Sequence, residues 1–169
     1  SPRLGFRHGA TAHLVIQHRG YILNDDDIGT INAPRLRSLE LSDPSPFRNV
    51  FQGSRSSLRS LRIHKIEFWE YPRKVPEFIS SCVVLEDVAV CFPRNLYLTG
   101  ADPVFLPSAS SLSLEWHFPC SPVPIFSAIY ASRLRHLSLT HNNFLTTFSQ
   151  DAASTLQNLI HSSPELVTL

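Results

Sequence analysis

Apolar residues recur along this chain in a short phrase: apolar, two variable positions, apolar, one variable position, apolar. The fullest copies are Leu36, Leu39 and Leu41; Leu58, Leu61 and Ile63; and Leu134, Leu137 and Leu139. Looser copies are Leu85, Val88 and Val90, then Ala109, Leu112 and Leu114. A weak copy begins at Thr11 with Leu14 and Ile16, and another runs from Leu166 to Leu169. The last two apolar positions alternate with a variable one, which is strand periodicity and places their side chains on one face. A strand this short cannot bury that face alone. Each copy therefore predicts one strand of a parallel stack, about 4.8 Å from its neighbours, with a core shared along the stack.

The first positions fall at residues 11, 36, 58, 85, 109, 134 and 166, in steps of 25, 22, 27, 24, 25 and 32. All but the last step lie in the roughly 20–29-residue period of leucine-rich repeats. The chain thus reads as one α/β domain over residues 1–169, a leucine-rich-repeat solenoid of about seven degenerate copies. The expected architecture is a curved parallel β-sheet on the concave side, with short helices or irregular turns on the convex side. A buried Leu or Ile contributes about 1.5–3 kcal/mol, so such a stack becomes favourable only when several repeats cooperate.

Return segments are expected at residues 47–51, 75–81, 123–131 and 152–161, where apolar residues take helix-like spacing. Pro46, Pro76, Pro122 and Pro124 stand near the starts, where a helix loses no amide donor, and Ser154 is a candidate cap for the last. Thirteen prolines against six glycines suit a chain with many corners. Asn142 lies eight residues after Leu134, where regular repeats place an asparagine that bonds loop backbone; the corresponding positions in two other copies hold Pro44 and Ile66.

Charge and cysteine content change the picture only by exclusion. The net charge of +1 argues against a nucleic-acid binder, which needs a basic footprint. Residues 1–75 carry twelve Lys/Arg against seven Asp/Glu, and residues 76–169 three against seven. The densest basic run is Arg48, Arg55, Arg59, Arg62 and Lys65, which most simply reads as solvated surface. Cys82, Cys91 and Cys120 are odd in number and lack C-x-x-C spacing, so they read as reduced thiols of an intracellular protein, cytoplasmic or nuclear. No N-x-[ST] sequon, signal-like core or membrane-length apolar run occurs. With no methionine and a Ser1-Pro2 start, the chain reads as a fragment of a larger protein.

The phrase Ala33-Pro34-Arg35-Leu36-Arg37-Ser38-Leu39-Glu40-Leu41 resembles the repeats of fungal F-box proteins with leucine-rich repeats. So do the stretches 75–88 and 156–169, the second containing Ser163-Pro164-Glu165-Leu166. The resemblance covers most of residues 33–169. It implies the substrate-recognition repeats of a ubiquitin ligase receptor, whose N-terminal F-box would dock a Skp1-like adaptor. This sequence departs from that pattern in having no F-box-like Leu-Pro-x-Glu segment ahead of the repeats. The alternative is a free-standing repeat scaffold or sensor unrelated to ubiquitin ligation.

In either setting the partner is a protein, and the residues to contact it are the variable ones flanking the strand leucines on the concave face. The candidates are Glu40, Arg62, His64, Asp87, Glu115, Trp116 and His136. Trp116, with Phe92 one repeat away, is the expected aromatic anchor; the plainer reading tucks both rings into the core. His64, Cys91 and Glu115 share one strand position on consecutive strands and could in principle meet a zinc ion. Without a local pair spacing to set that geometry, no metal and no cofactor are expected. Catalysis is not expected either. The many serines lack a G-x-S-x-G elbow, Asp25-Asp26-Asp27 lacks the order of a calcium loop, and no Gly-rich phosphate loop is present.

Overall fold

The computed structural model describes residues 12–16, 34–42, 54–64, 74–92, 103–117, 121, 123–142 and 149–168. In chain order the strands are β1 (Ala12–Ile16), β2 (Leu36–Leu41), β3 (Ser60–Ile63), β4 (Asp87–Cys91), β5 (Val104–Phe105), β6 (Ser111–His117), β7 (Ile129–Tyr130) and β8 (His136–Asn142). The helices are α1 (Lys74–Ser81), α2 (Val123–Ala128) and α3 (Gln150–His161). The architecture is α/β, built on a six-stranded sheet in the order β1-β2-β3-β4-β6-β8, with every pair parallel.

Register follows the repeated phrase. Leu14, Leu39, Leu61, Val88, Leu112 and Leu137 stand side by side across the sheet, and so do Ile16, Leu41, Ile63, Val90, Leu114 and Leu139. A one-residue slip anywhere would turn a strand's apolar set to the other face, so these two rows pin the alignment. The first apolar positions Leu36, Leu58, Leu85, Ala109 and Leu134 are also buried and belong to the same continuous core.

In four copies the corner ahead of the strand position is built alike. The amide of Leu85 donates to the carbonyl of Cys82, Ala109 to Leu106, Leu134 to Ala131, and Leu166 to Ser163. The accepting residues sit inside the stack, which is why they are small or apolar. One carbonyl then bridges to the next copy: Arg59 accepts from the amides of Glu86 and Asp87, Glu86 from Ser110 and Ser111, and Ser110 from Arg135 and His136. Arg135 accepts in the same way from Val167 and Thr168, and Thr168 forms a parallel bridge with His136. The last copy, 32 residues on, therefore enters the sheet in register despite its longer step.

Helices lie where three of the four expected return segments fall; residues 47–51 lie outside the described residues. Helix α1 buries Val75, Phe78 and Ile79, the i, i+3, i+4 stripe, with Pro76 in its first turn. Helix α2 buries Ile125, Phe126 and Ala128, and packs against α3, which buries Ala152 and Leu159. The cap of α3 is Ser149, whose hydroxyl accepts from the Ala152 amide at 3.2 Å. Ser154 lies inside the helix and donates to the Gln150 carbonyl, so the helix begins a turn earlier than its apolar spacing suggests. Behind the main sheet, β5 and β7 pair in parallel, a feature the apolar phrase does not predict.

Candidate functional site

The period-2 alternation that buries one side of the strands leaves the other side to the variable residues. From β2 to β8 these are Ser38, Glu40 and Ser42; Ser60, Arg62 and His64; Asp87, Ala89 and Cys91; Ser111, Ser113 and Glu115; and His136, Ser138 and Thr140. Apart from buried Cys91, all are half-buried or exposed. The structure thus brings Glu40, Arg62, His64, Asp87, Glu115 and His136 onto one face of one sheet.

Trp116 is corrected. Strand β6 runs to His117, so the alternation that buries Leu112 and Leu114 carries on and buries Trp116 at 2% exposure. Its indole meets the Phe126 ring edge-on at 5.6 Å and stacks on His141 at 5.5 Å. Phe92 is half-buried and packs against the same core. The plainer reading of both aromatics holds, and no partner can reach Trp116 without opening the core.

Charges on and beside the open face are matched across strands. Glu40 and His64 meet at 2.8 Å, and Arg62 approaches Asp87 at 3.9 Å. Asp87 also accepts from the Ser60 hydroxyl at 3.2 Å, and His13 bonds Ser38 at 2.8 Å. One position toward the strand start, Arg59 pairs with Glu86, and Arg135 with Glu165 at 3.1 Å. Each pair joins one strand, or the residues beside it, to the neighbouring one. Arg48 and Lys65 of the basic run lie outside the described residues, as do Asp25-Asp26-Asp27 and Cys120.

His64 does not join Cys91 and Glu115, because Glu40 holds it on the other side. The histidine that does is His117, whose Nε2 lies 3.7 Å from Cys91 Sγ and 3.5 Å from Glu115 Oε1. Sequence reasoning missed it by comparing identical strand positions. The signal was the i, i+2 spacing from Glu115, which puts both side chains on one face of β6. His117 also pairs in register with Asn142, at the strand end where regular repeats carry a bonded asparagine. Cys82 is of a different kind. It fills a corner of the stack, and burial pushes its thiol up to about 11, which keeps it protonated and unreactive near neutrality.

No helix among the described residues is long and apolar enough to cross a membrane. No protein-family model matches this chain, and comparison with curated proteins and solved structures likewise yields no match.

Proposed function

We propose that this chain is a leucine-rich-repeat solenoid acting as a protein-interaction module, and that its partner docks on the face carrying Glu40, Arg62, His64, Asp87, Glu115 and His136. The observation that carries this reading is that, among the described residues, no helix packs on one face of an all-parallel sheet. Such sheets ordinarily have both faces covered, because the crossovers pack on both. Here the described helices contribute to the apolar core, while the described residues of the opposite face are mostly polar and, apart from buried Cys91 and His117, half-buried or exposed. One strand of the main sheet per copy of the phrase, laid in chain order with the same corner in four copies, supports the solenoid reading.

The face favours a polar protein surface over an apolar ligand or a nucleic acid. Arg62 stands between Glu40 and Asp87 of the adjoining strands, a mixture that repels a polyanion as much as it attracts one. A mosaic of both signs suits orientation and selectivity in protein contacts.

The test is affinity capture with cross-linking, comparing the wild-type chain with a variant carrying Arg62→Glu and Asp87→Lys. A partner cross-linked through β2, β3, β4, β6 or β8 is expected, with its affinity cut at least about tenfold in the variant, or 1.4 kcal/mol. The melting temperature should stay unchanged. Cross-links confined to other surfaces, or equal capture by the variant, would defeat the reading. The narrower receptor role in ubiquitin ligation rests on the family resemblance alone. Its own test is co-purification of a Skp1-like adaptor with the full-length gene product; failure there removes the ligase and leaves the interaction module standing.

A further inference from the structure

We propose that Cys91, Glu115 and His117 form a zinc-binding site at the carboxyl ends of β4 and β6. Cys91 and Glu115 are register partners on adjacent strands, and His117 follows Glu115 by two residues on the same face. Their donor atoms all lie within 4.8 Å of one another. Zinc binds thiolate at about 2.3 Å and imidazole at about 2.0–2.1 Å, so a tetrahedral ion holds these two donors about 3.6 Å apart. An imidazole nitrogen and a carboxylate oxygen on the same ion stand about 3.4 Å apart. The observed 3.7 Å and 3.5 Å separations are close to those two edges. The third edge, between Cys91 Sγ and a Glu115 oxygen, lies within 4.8 Å, and the Glu115 side chain is 38% exposed.

The donor set also selects the ion. Thiolate and imidazole favour a borderline-soft metal over magnesium or calcium, and one carboxylate with them is an ordinary zinc combination. Three protein ligands leave a fourth position for water, the pattern of an open site. Burial is consistent with this. Cys91 and His117 are 5% and 6% exposed and Glu115 is 38% exposed along its side chain, so Glu115 marks the side from which an ion enters.

A Cys-His-Glu relay for nucleophilic attack would use the same three residue types, but the geometry is wrong for it. A relay needs the thiol on one ring nitrogen and the acid on the other. Here Cys91 and Glu115 both approach Nε2. Convergence on one nitrogen suits an ion placed between the three groups. On binding, the Cys91 thiol gives its proton to solvent and the sulfur bonds zinc as thiolate, with His117 neutral; affinity therefore rises with pH. The site stands whether or not the same face binds a protein.

The test is titration of the full 169-residue chain with zinc against a chromophoric chelator, and with cobalt(II) followed by absorption. One ion per chain is expected, with proton release and a thiolate-to-cobalt charge-transfer band. Glu115→Gln should weaken binding at least about tenfold, since even outer partners of metal ligands cost about 10–100-fold. Cys91→Ser should abolish the band, His117→Gln should weaken binding as strongly, and His64→Gln should change nothing. Glu115 is partly exposed, so its variant decides the matter should the buried Cys91 or His117 variants fail to fold. Absence of one-equivalent binding by the wild-type chain, a cobalt complex without thiolate character, or affinity unmoved by Glu115→Gln would overturn the assignment.

Discussion

The two faces of the main sheet come from the same strands, yet they follow opposite rules. On the core face the row from Leu14 to Leu137 and the row from Leu41 to Leu139 are aliphatic throughout, with Leu, Ile and Val exchanging places, while the row of Trp116 continues to His141. On the open face the rows mix serine with charged residues. The row of Glu40 continues as Arg62, Ala89, Ser113 and Ser138, and the row of Asp87 holds Ser38, Ser60, Ser111 and His136. A core row needs only volume and hydrophobicity, so any branched aliphatic of similar size serves. Residues on the open face are not needed for that volume, and their variety is where a particular binding chemistry can reside. Substitutions on the two faces should therefore differ in size and in what they affect.

The largest effect is expected at the centre of the core face. Leu61 is fully buried between Leu39 and Val88 on the adjoining strands. Leu61→Ala should cost about 2–5 kcal/mol, the range for cavity-forming truncations. Urea unfolding with an unchanged slope would show the loss directly. A cost below about 1 kcal/mol would mean that the core face is not the continuous support proposed here.

These two faces were not equally legible in the sequence. Core rows could be read because burial demands a periodic pattern, and the phrase recovers even the weak first copy, whose Leu14 aligns with Leu39. The return helices were legible from their apolar stripes. The β5–β7 pair was not, because two residues per strand carry no periodicity. On the open face the column positions could be listed, but diagonal neighbours could not. His117 meets Cys91 across strands offset by two residues, and only the register reveals that contact. Trp116 was misplaced because it was grouped with the variable positions, although it continues the alternation of Leu112 and Leu114 and so turns inward.

The next effect depends on pH and belongs to the corners that support the core. Cys82 has its thiol raised from 9.0 to about 11 by burial. Above pH 9 the unfolded chain releases this proton while the folded chain keeps it, so the unfolded state binds fewer protons and stability falls as pH rises. The contribution is intact below pH 9 and lost between about 9 and 11, on the order of 3 kcal/mol in total. Cys82→Ala should flatten that part of the stability–pH curve. Thiol labelling at mild alkaline pH should reach Cys82 only on unfolding; labelling of the native chain as fast as of the unfolded one contradicts the burial argument.

A smaller effect of opposite sign tests interchangeability within the core face itself. Strand β4 contributes Val88 and Val90 where β2 contributes Leu39 and Leu41, and both valines line an apolar cavity of about 50 Å³. Its other walls include Ile79 of α1, Leu106 and Ile129. The shorter side chains leave this space unfilled. Val90→Ile adds one methylene toward it and should raise stability by about 0.5–1.5 kcal/mol, seen as a higher urea midpoint. A lowered midpoint would show that the row at β4 is fitted to valine, and that the aliphatics of the core face are less exchangeable than their pattern implies.

The smallest effect on stability should come from the open face, and it is the most informative about function. Arg62 is 58% exposed along its side chain and lies 3.9 Å from Asp87, itself 39% exposed. Ion pairs this open to solvent are typically worth about 0.2–1 kcal/mol, because water screens them and both side chains lose freedom. Their spacing is at the outer limit of a direct contact, so a double-mutant cycle over Arg62→Ala and Asp87→Ala should give a coupling at the low end, below about 0.5 kcal/mol. The coupling should shrink further in added salt. Partner affinity should respond far more strongly to the same two substitutions than the unfolding midpoint does. A coupling above about 1 kcal/mol that persists in salt would make the pair part of the structural framework. The contrast between a supporting face and a recognising face would then fail where it is most specific, since the residues chosen for recognition would be holding the strands together.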